Sequence, residues 1–169
     1  MQKIMNDPIN TQRLLLRKFT NKDVDKIYLM SLEEGMKEFI PDQVYGNEEE
    51  AKQVVEYLML QYLEAPSPNK TPFVLAIVLK DSNELIGHVG LSPYDNIVEI
   101  GYAIEDKHQG KGFATEAVIA MSEWTLKELK LSSVWGIVDR NNIGSIKVLE
   151  KAGYIFQGEI KNKLRYEIK

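Results

Sequence analysis

Two glycines stand in a short run that joins a predicted strand to a predicted helix, Gln109-Gly110-Lys111-Gly112-Phe113-Ala114-Thr115-Glu116-Ala117. A turn with two glycines lets the backbone come close to a ligand. The first turn of the following helix offers unpaired N–H groups and the positive end of its dipole. Such a turn is a ready site for phosphate groups. The run therefore predicts an anion site, and the identity of the phosphate compound stays open.

Two common phosphate-binding motifs do not match this run. A Walker A loop has an earlier glycine and a Ser or Thr after its Gly-Lys pair, whereas here Glu105 and Gly112 occupy those positions. A dinucleotide fingerprint needs a third glycine, and Thr115 stands in its place. The strands before the run also follow each other like hairpins, which is atypical of that fingerprint. Both motifs are poor fits.

Length and composition fit a single globular domain. The chain has 169 residues, of which 44% are hydrophobic and 27% are charged, as in ordinary globular proteins. We therefore expect one domain over residues 1–169. No apolar run approaches the roughly 20 residues that span a bilayer, and the beginning of the sequence lacks an apolar signal-peptide centre. We expect a cytoplasmic protein that does not bind membranes.

Several kinds of chemistry lack their usual residues. The sequence has no cysteine, which excludes disulfides, thiolate metal sites and a cysteine-linked acyl-enzyme. The two histidines, His88 and His108, are far apart in the sequence, so we expect no metal. We expect His108, which lies in a turn, to be solvated. The net charge of -4 argues against direct binding of nucleic acid.

Hydrophobic periodicity predicts a mixed sheet with helices packed against it. The clearest helix begins at Asn47, which forms a start like a capping box with Glu50, and its inward residues are Ala51, Val54, Val55, Leu58 and Tyr62. The stretch 33–46 has no period and contains Gly and Pro, which predicts a loop. The other strands and helices are predicted over 11–19, 20–32, 73–79, 85–91, 97–104, 112–130, 134–138, 143–152, 154–159 and 164–168.

This order predicts an α/β fold of the α+β kind. It contains about seven strands in one mixed, mostly antiparallel sheet, and about four helices flank that sheet. The strands over 73–104 form an antiparallel meander directly before the glycine turn. The turn therefore lies at the point where the meander ends and a long helix begins.

Four segments match one protein family in the order in which they occur. Gln109, Gly112 and Ala114 satisfy the pattern Gln/Arg-x-x-Gly-x-Gly/Ala, which resembles the acyl-CoA pyrophosphate loop of the GCN5-related N-acetyltransferases. Segments 99–102, 114–117 and 142–154 extend the resemblance to the branch that contains the ribosomal-protein N-terminal acetyltransferases. The resemblance covers essentially the whole chain. Gln109 departs from the Arg that many members carry there.

The resemblance implies an acyl-CoA N-acyltransferase fold in which two central strands splay apart. The pantetheine arm of acetyl-CoA would lie between them, because backbone groups left unpaired by the splay need partners. Lys111 would add charge at the pyrophosphate, although in such loops its side chain usually points to water. The residues assigned to acetyl-CoA on this basis are Ala103, Ile104, Gln109, Gly110, Lys111, Gly112, Phe113, Ala114, Thr115, Asn142 and Ser145.

Transfer of an acetyl group to an amine needs an uncharged nucleophile and a proton for the leaving thiolate. Glu99 is the candidate base or acceptor in a water relay, since a carboxylate in an apolar strand needs a partner. The alternative is a structural hydrogen bond. By resemblance, Asn142 bonds the pantetheine arm and Ser145 lies near the thioester sulfur as proton donor; Asn142 also suits a helix N-cap. Tyr102 and Tyr154 are the alternative donors.

The amine acceptor is the least determined part of the site. The resemblance implies direct transfer from acetyl-CoA to a primary amine, and its branch points to a protein or peptide N-terminus. Polyamines, antibiotics and other small amines are the alternatives. In the resembling proteins the acceptor pocket is formed by the first two helices, their loop and the closing hairpin. The residues assigned to that pocket are Glu34, Phe39, His88, Tyr94 and Tyr166.

Two functions of other classes stay open at this point. One is a module that binds acetyl-CoA without turnover, and the other is a nucleotide-binding protein with an incomplete glycine fingerprint.

Four carboxylates in the predicted loop would attract a cationic amine, namely Glu33, Glu34, Glu38 and Asp42. The sequence leaves the oligomeric state open between a monomer and a homodimer.

Overall fold

The computed structural model describes residues 3–169, which form eight strands and five helices. The strands are β1 (Ile9–Asn10), β2 (Leu14–Arg17), β3 (Phe73–Leu79), β4 (Leu85–Tyr94), β5 (Ile97–Ile104), β6 (Val134–Asp139), β7 (Ile155–Ile160) and β8 (Lys163–Ile168). The helices are α1 (Val24–Ser31), α2 (Glu34–Phe39), α3 (Glu48–Gln61), α4 (Phe113–Glu128) and α5 (Ile143–Lys151). Among the described helices, none is long and apolar enough to cross a membrane.

All eight strands belong to one sheet, in the order β1-β2-β3-β4-β5-β6-β8-β7. Neighbouring strands are antiparallel except β5 and β6, which run parallel and are connected through α4. Within residues 3–169, β5 and β6 pair at one position, Glu99 opposite Trp135. The ladder does not continue toward Ile104. The predicted splay of two central strands is thereby confirmed.

The structure has one strand and one helix more than the sequence predicts. The additional strand, β1, lies just before the strand predicted over 11–19, of which β2 is the observed part, and the Thr11 amide donates to the Leu14 carbonyl in the tight turn between β1 and β2. The loop predicted over 33–46 contains α2. A helix of six residues with a single buried side chain, Met36, has no period to detect.

Capping decides where α3 begins. The Asn47 side chain accepts a hydrogen bond from the Glu50 amide, as the sequence predicts. The Glu50 carboxylate differs from the prediction, because it accepts from the Gly46 amide rather than from that of Asn47. Ala51 and Val55 of α3 and Tyr62 at its C-cap are buried as predicted, whereas Val54 and Leu58 are half-buried.

Helices cover both faces of the sheet. Tyr102 on β5 donates its hydroxyl hydrogen bond to the Ser145 carbonyl on α5, so Tyr102 faces the layer of α4 and α5. Successive strand residues point to opposite faces. The neighbouring Gly101 accordingly faces the other layer, where it lines a cavity with Ile27 of α1 and Val54 of α3. Two chemically distinct environments therefore flank the same strand.

Candidate active site

The turn before α4 has the conformation that a backbone anion site needs. Gly110 and Gly112 have φ values of +74° and +81°, in the left-handed region that favours glycine. The first intrahelical bond runs from the Glu116 amide to the Gly112 carbonyl, so the three amides before Glu116 lack helical partners. The residues whose amides are available are Phe113, Ala114 and Thr115.

The open N-terminus of α4 distinguishes it from the other long helices. Asn47 caps α3 and Asn142 caps α5 through side-chain oxygens, whereas Gly112 offers α4 no side-chain cap. A Cβ atom added at Gly110 would meet no heavy atom within 4 Å. Space and donors thus coincide at this helix end, as an oxyanion ligand requires.

Two side chains of the glycine turn donate hydrogen bonds to backbone carbonyls close to the turn. The Gln109 side-chain amide donates to the Ile104 carbonyl at 2.9 Å and so closes the end of β5. Lys111 donates through Nζ to the Lys107 carbonyl at 3.0 Å, and it does not line the neighbouring cavity. Backbone groups therefore dominate the anion site, and Gln109 in place of Arg is compatible with it.

Arg13 holds the glycine turn from the other side, which the sequence did not indicate. Its Nη1 donates to the Lys111 carbonyl at 2.9 Å, and its guanidinium lies 4.4 Å from the centroid of the Phe113 ring. Glu116 fixes Arg13 in turn, accepting from its Nε at 2.7 Å and from its backbone amide at 2.8 Å. The hydroxyl of Thr11 donates to the same carboxylate at 2.6 Å.

We expect Arg13→Ala to weaken acetyl-CoA binding about tenfold, because the variant loses a charge-assisted bond that orients the turn. Isothermal titration with acetyl-CoA measures the dissociation constant directly. Lys111→Ala is the matched control: it removes a cation from the same turn, and we expect its affinity to stay within about twofold of the parent. Equal losses in both variants would assign the effect to net charge and contradict the positioning role of Arg13.

The gap between β5 and β6 opens beside this turn. Its β5 wall is formed by Tyr102, Ala103 and Ile104, and its far wall by Asn142 and Ser145 on α5. Together with the glycine turn these residues enclose a cavity of about 410 Å³. The volume lies in the range of roughly 300 to 1,000 Å³ that is usual for small-molecule sites. The structure thus brings the predicted donor residues together, with Lys111 at the margin.

The start of α5 presents polar groups to this donor cavity. Asn142 Oδ1 accepts from the Ser145 amide at 3.1 Å, which makes Asn142 the N-cap and leaves its amide NH₂ free to donate to a ligand. The Ser145 carbonyl accepts from Tyr102 at 3.0 Å. Burial raises the pKa of Tyr102 to about 12. The Ser145 hydroxyl has no partner within residues 3–169 and lines the cavity.

Tyr154 is placed differently from Tyr102. Its side chain is 2% exposed, and its hydroxyl shares a hydrogen bond of 2.7 Å with the Ser122 hydroxyl in the core. Burial raises the pKa of Tyr154. Tyr154 does not line the donor cavity. Of the two tyrosines considered as proton donors, only Tyr102 reaches the donor cavity.

Other residues of the donor cavity were not indicated by the sequence. Lys147 and Lys151 lie four positions apart on α5 and line it, where they add positive charge. Glu33 lines it from the turn before α2, and its carboxylate accepts from the Asp106 amide at 3.0 Å. Burial raises the pKa of Glu33. The sequence indicates these two lysines only by their spacing of four positions after Ser145, which places them on one face of the helix.

Glu99 lies at the closed end of the gap. It is the residue at which β5 and β6 pair, and it stands opposite Ser92 on β4. Burial raises the pKa of Glu99 to about 7, and the charge of Lys163 opposes this rise. Its carboxylate has no hydrogen bond within residues 3–169, so the alternative of a structural bond finds no partner. Glu99 itself does not line the donor cavity.

A second cavity of about 260 Å³ lies under α1 and α3 on the opposite face of β4 and β5. Its sheet side is formed by His88, Gly90, Ser92 and Gly101. Burial lowers the pKa of His88 to about 4, so its imidazole is neutral at pH 7. Met36 of α2 lines both cavities. We refer to this space below as the amine cavity.

The five residues assigned to the acceptor by sequence are not all near a cavity. Phe39 lines the donor cavity and His88 lines the amine cavity. Glu34 is exposed and pairs with Lys37, and Tyr94 is exposed at the end of β4. Tyr166 is buried, with its hydroxyl donating to Glu150 at 3.2 Å. Glu34, Tyr94 and Tyr166 therefore stay outside the proposal below.

His108 is not solvated as the sequence suggests. Its side chain is 12% exposed and its Nε2 lies 3.3 Å from a Glu84 oxygen and 3.7 Å from Glu105. Lys26 and Lys107 pair with the same two carboxylates. The two lysines and the two carboxylates form an ion-pair network that joins the β3–β4 turn to the end of β5, and His108 packs against this network. This network fixes the strand that leads into the glycine turn.

A model of a known protein family, described as an acetyltransferase (GNAT) domain, matches residues 13–155. The chain belongs to the GNAT acetyltransferases. It is an acetyl-CoA-dependent N-acetyltransferase of the acyl-CoA N-acyltransferase fold.

Individual GNAT proteins resemble the chain over most of its length. The uncharacterized N-acetyltransferase YnaD of Bacillus subtilis (strain 168) is 32% identical over 155 residues, which cover 90% of this chain and 85% of YnaD. The crystal structure of a GNAT family acetyltransferase from Bacillus anthracis superposes with a TM-score of 0.79 at 26% identity, covering 95% and 97% of the two chains.

A RimL structure, described as a ribosomal L7/L12 alpha-N-protein acetyltransferase in complex with coenzyme A, superposes with the same TM-score of 0.79. Its identity to this chain is 17%, and the match covers 96% of this chain and 97% of RimL. At that identity the likeness concerns the GNAT fold. RimL holds coenzyme A within this fold.

Proposed function

We propose that this chain transfers an acetyl group from acetyl-CoA directly to the α-amine of a protein or peptide N-terminus. The observation that carries the proposal is the gap between β5 and β6. It begins at an uncapped helix N-terminus that suits a pyrophosphate and ends at Glu99, a carboxylate with a raised pKa. The donor site would lie at the open end of this gap and the candidate base at its closed end.

Each part of the donor site would bind one part of acetyl-CoA. The amides of Phe113, Ala114 and Thr115 would bind the pyrophosphate, and the free edge of β5 at Ala103 and Ile104 would pair with the amides of the pantetheine arm. Asn142 would donate to the arm through its NH₂ group while its oxygen caps α5. When bound, acetyl-CoA supplies an acetyl group activated as a thioester.

Transfer forms a C–N bond to the amine and breaks the C–S bond of the thioester. Glu99 would accept the proton that the amine loses, through a water molecule on the side of Ser92, its cross-strand neighbour. Ser145 lines the donor cavity and its hydroxyl has no partner within residues 3–169, so it would donate a proton to the departing thiolate and take one back from solvent water. Tyr102 is less suited, since its hydroxyl already donates to the Ser145 carbonyl.

The proton balance favours an α-amine over a lysine side chain. An α-amine has a pKa near about 8, whereas that of lysine is near about 10.4. A base with a pKa of about 7 is well matched to the α-amine. The description of RimL as an alpha-N-protein acetyltransferase points to the same acceptor class.

We expect Ser145→Ala to lower kcat by about tenfold or more while the dissociation constant of acetyl-CoA changes by less than about twofold. The substitution removes the hydroxyl but leaves the backbone bonds of Ser145 to Asn142 and Tyr102 in place. Initial-rate kinetics and titration measure the two quantities separately. Equal losses in both would make Ser145 a binding residue only.

The test of the proposed function uses peptides that offer one kind of amine at a time. One peptide has a free N-terminus and no lysine, and its partner has a formylated N-terminus and one lysine. We expect thiol release with the first, and a mass increase located on its N-terminal fragment. Reaction of the lysine peptide alone would contradict the proposal. Binding of acetyl-CoA without thiol release from any amine would favour a non-catalytic binding module.

A further inference from the structure

We infer that the amine cavity receives an apolar group adjacent to the reacting amine, so that the chain selects acceptors with a bulky apolar substituent. For a peptide, this group is the side chain of the first residue. The inference rests on the proposed function, since it names the acceptor class for the same site.

The walls of the amine cavity are mainly hydrocarbon. Ile27 and Met30 of α1, Val54 and Leu58 of α3, and Val74 of β3 line it. Burial of an apolar side chain on such walls is favourable by roughly 25 cal/mol per Å². The volume of about 260 Å³ is below the roughly 300 to 1,000 Å³ of sites that enclose whole ligands. The cavity therefore suits one side chain or a compact hydrocarbon group.

The charges at the amine cavity argue against polycationic acceptors. Among the described residues that line it, Asp42 is the one carboxylate, and Asp42 is exposed. His88 is uncharged at pH 7, since burial lowers its pKa to about 4. A polyamine or an aminoglycoside carries several ammonium groups, and each would need an anionic partner. One exposed carboxylate matches a single ammonium group on its way in.

Gly101 leaves open space on the sheet side of the amine cavity. It follows Ile100 in β5, next to the gap wall at Tyr102, and lines the amine cavity. Its φ is not in the left-handed region, and a Cβ atom added there would meet no heavy atom within 4 Å. Neither the backbone nor packing thus requires glycine at this position. The missing side chain leaves room where the acetyl group and the amine must meet.

Polar side chains line the amine cavity from α1, α3 and the connection between α2 and α3, namely Ser31, Tyr57, Asp42, Gln43 and Tyr45, and two more line it on its sheet side. His88 and Ser92 lie there, and neither side chain has a hydrogen-bond partner within residues 3–169. They can accept from the amine N–H groups while the apolar substituent points toward α1 and α3. This combination of polar groups with apolar walls favours an amphipathic amine over a small hydrophilic one.

The experiment compares tripeptides that differ only in their first residue, with acetyl-CoA and the unmodified protein. We expect kcat/KM for peptides beginning with Leu or Phe to exceed that for Gly, Ser or Lys by at least about tenfold, as apolar pockets discriminate by roughly 10- to 200-fold per methylene group. Isoamylamine and spermidine extend the comparison to small amines. We expect isoamylamine to be acetylated faster than spermidine.

A matched pair of variants tests the location of the selectivity. Val54→Phe fills the amine cavity from α3, whereas Gln53→Phe adds the same side chain at an exposed neighbouring position. We expect Val54→Phe to reduce kcat/KM for the Leu peptide at least about tenfold and for the Gly peptide less than about twofold, with unchanged binding of acetyl-CoA. We expect Gln53→Phe to resemble the parent with both peptides.

The outcomes separate this inference from the proposed function. Acetylation of peptides with Gly, Ser or Lys first, at rates equal to or above those with Leu, overturns the inference and leaves the proposed function standing. Acetylation of isoamylamine but of no peptide overturns the N-terminal acceptor and supports the apolar cavity. If no amine releases thiol although acetyl-CoA binds, both are overturned. Equal losses with both peptides in Val54→Phe also contradict the inference.

Discussion

Gly110→Asp should bind acetyl-CoA roughly 100-fold more weakly than the parent protein. Aspartate tolerates the left-handed conformation better than most residues, and its Cβ would meet no heavy atom within 4 Å. The backbone should therefore keep its path. The new carboxylate lies beside the amides of α4, where it opposes the pyrophosphate by about 3 kcal/mol. Titration calorimetry with acetyl-CoA measures the change.

Gly158→Asp is the control for strain and charge. Gly158 has a φ of +115° and an added Cβ there also meets nothing within 4 Å, but the residue lies in β7, away from both cavities. We expect a lower melting temperature with unchanged acetyl-CoA affinity. The loss in Gly110→Asp should also shrink at higher ionic strength, because salt screens the repulsion. Equal affinities in the two variants would exclude the turn as the pyrophosphate site.

Glu99→Gln should reduce kcat about 100-fold without changing the affinity for acetyl-CoA. Glutamine keeps the shape of the side chain and cannot accept a proton, and general-base catalysis contributes typically 10²- to 10⁴-fold. In the parent, activity should rise as pH increases through about 7, the pKa of Glu99. The variant should lose this inflection. A profile identical in shape for both proteins would remove Glu99 from the proton path.

The same substitution should raise stability, which separates lost chemistry from lost folding. The Glu99 carboxyl ionises near 4.5 when unfolded and near 7 when folded, so the folded state binds its proton more tightly. The parent therefore loses stability as pH rises between these values. Above pH 7 the penalty is at most about 3 kcal/mol. Thermal melts at pH 5 and pH 8 should show the variant gaining relative to the parent only at pH 8.

Local signals in the sequence predicted the glycine turn and the Asn142 cap, and the family resemblance assigned them to acetyl-CoA. The glycine turn, the Asn142 cap and the free Ser145 hydroxyl all depend on neighbours within a few positions. The meander before the turn is likewise read from alternating and continuous apolar runs.

Features that depend on distant contacts were not available from the sequence. Arg13 contacts the glycine turn across 98 positions of the chain, and nothing near Arg13 marks it as part of a site. His108 was expected in solvent because the partner that buries it, Glu84, comes from another turn. Tyr166 was assigned to the acceptor from its hairpin position, whereas its face of β8 points to Glu150 and the core.

The single pairing between β5 and β6 makes the sheet two mechanical units. Strands β1 to β5 form one, and β6, β8 and β7 form the other, a continuous C-terminal stretch that also contains α5. A donor arm bound in the gap would act as an additional strand that bonds both units. Substrate binding in this protein would therefore complete a sheet, and the loss of coenzyme after turnover would loosen the junction between the two units.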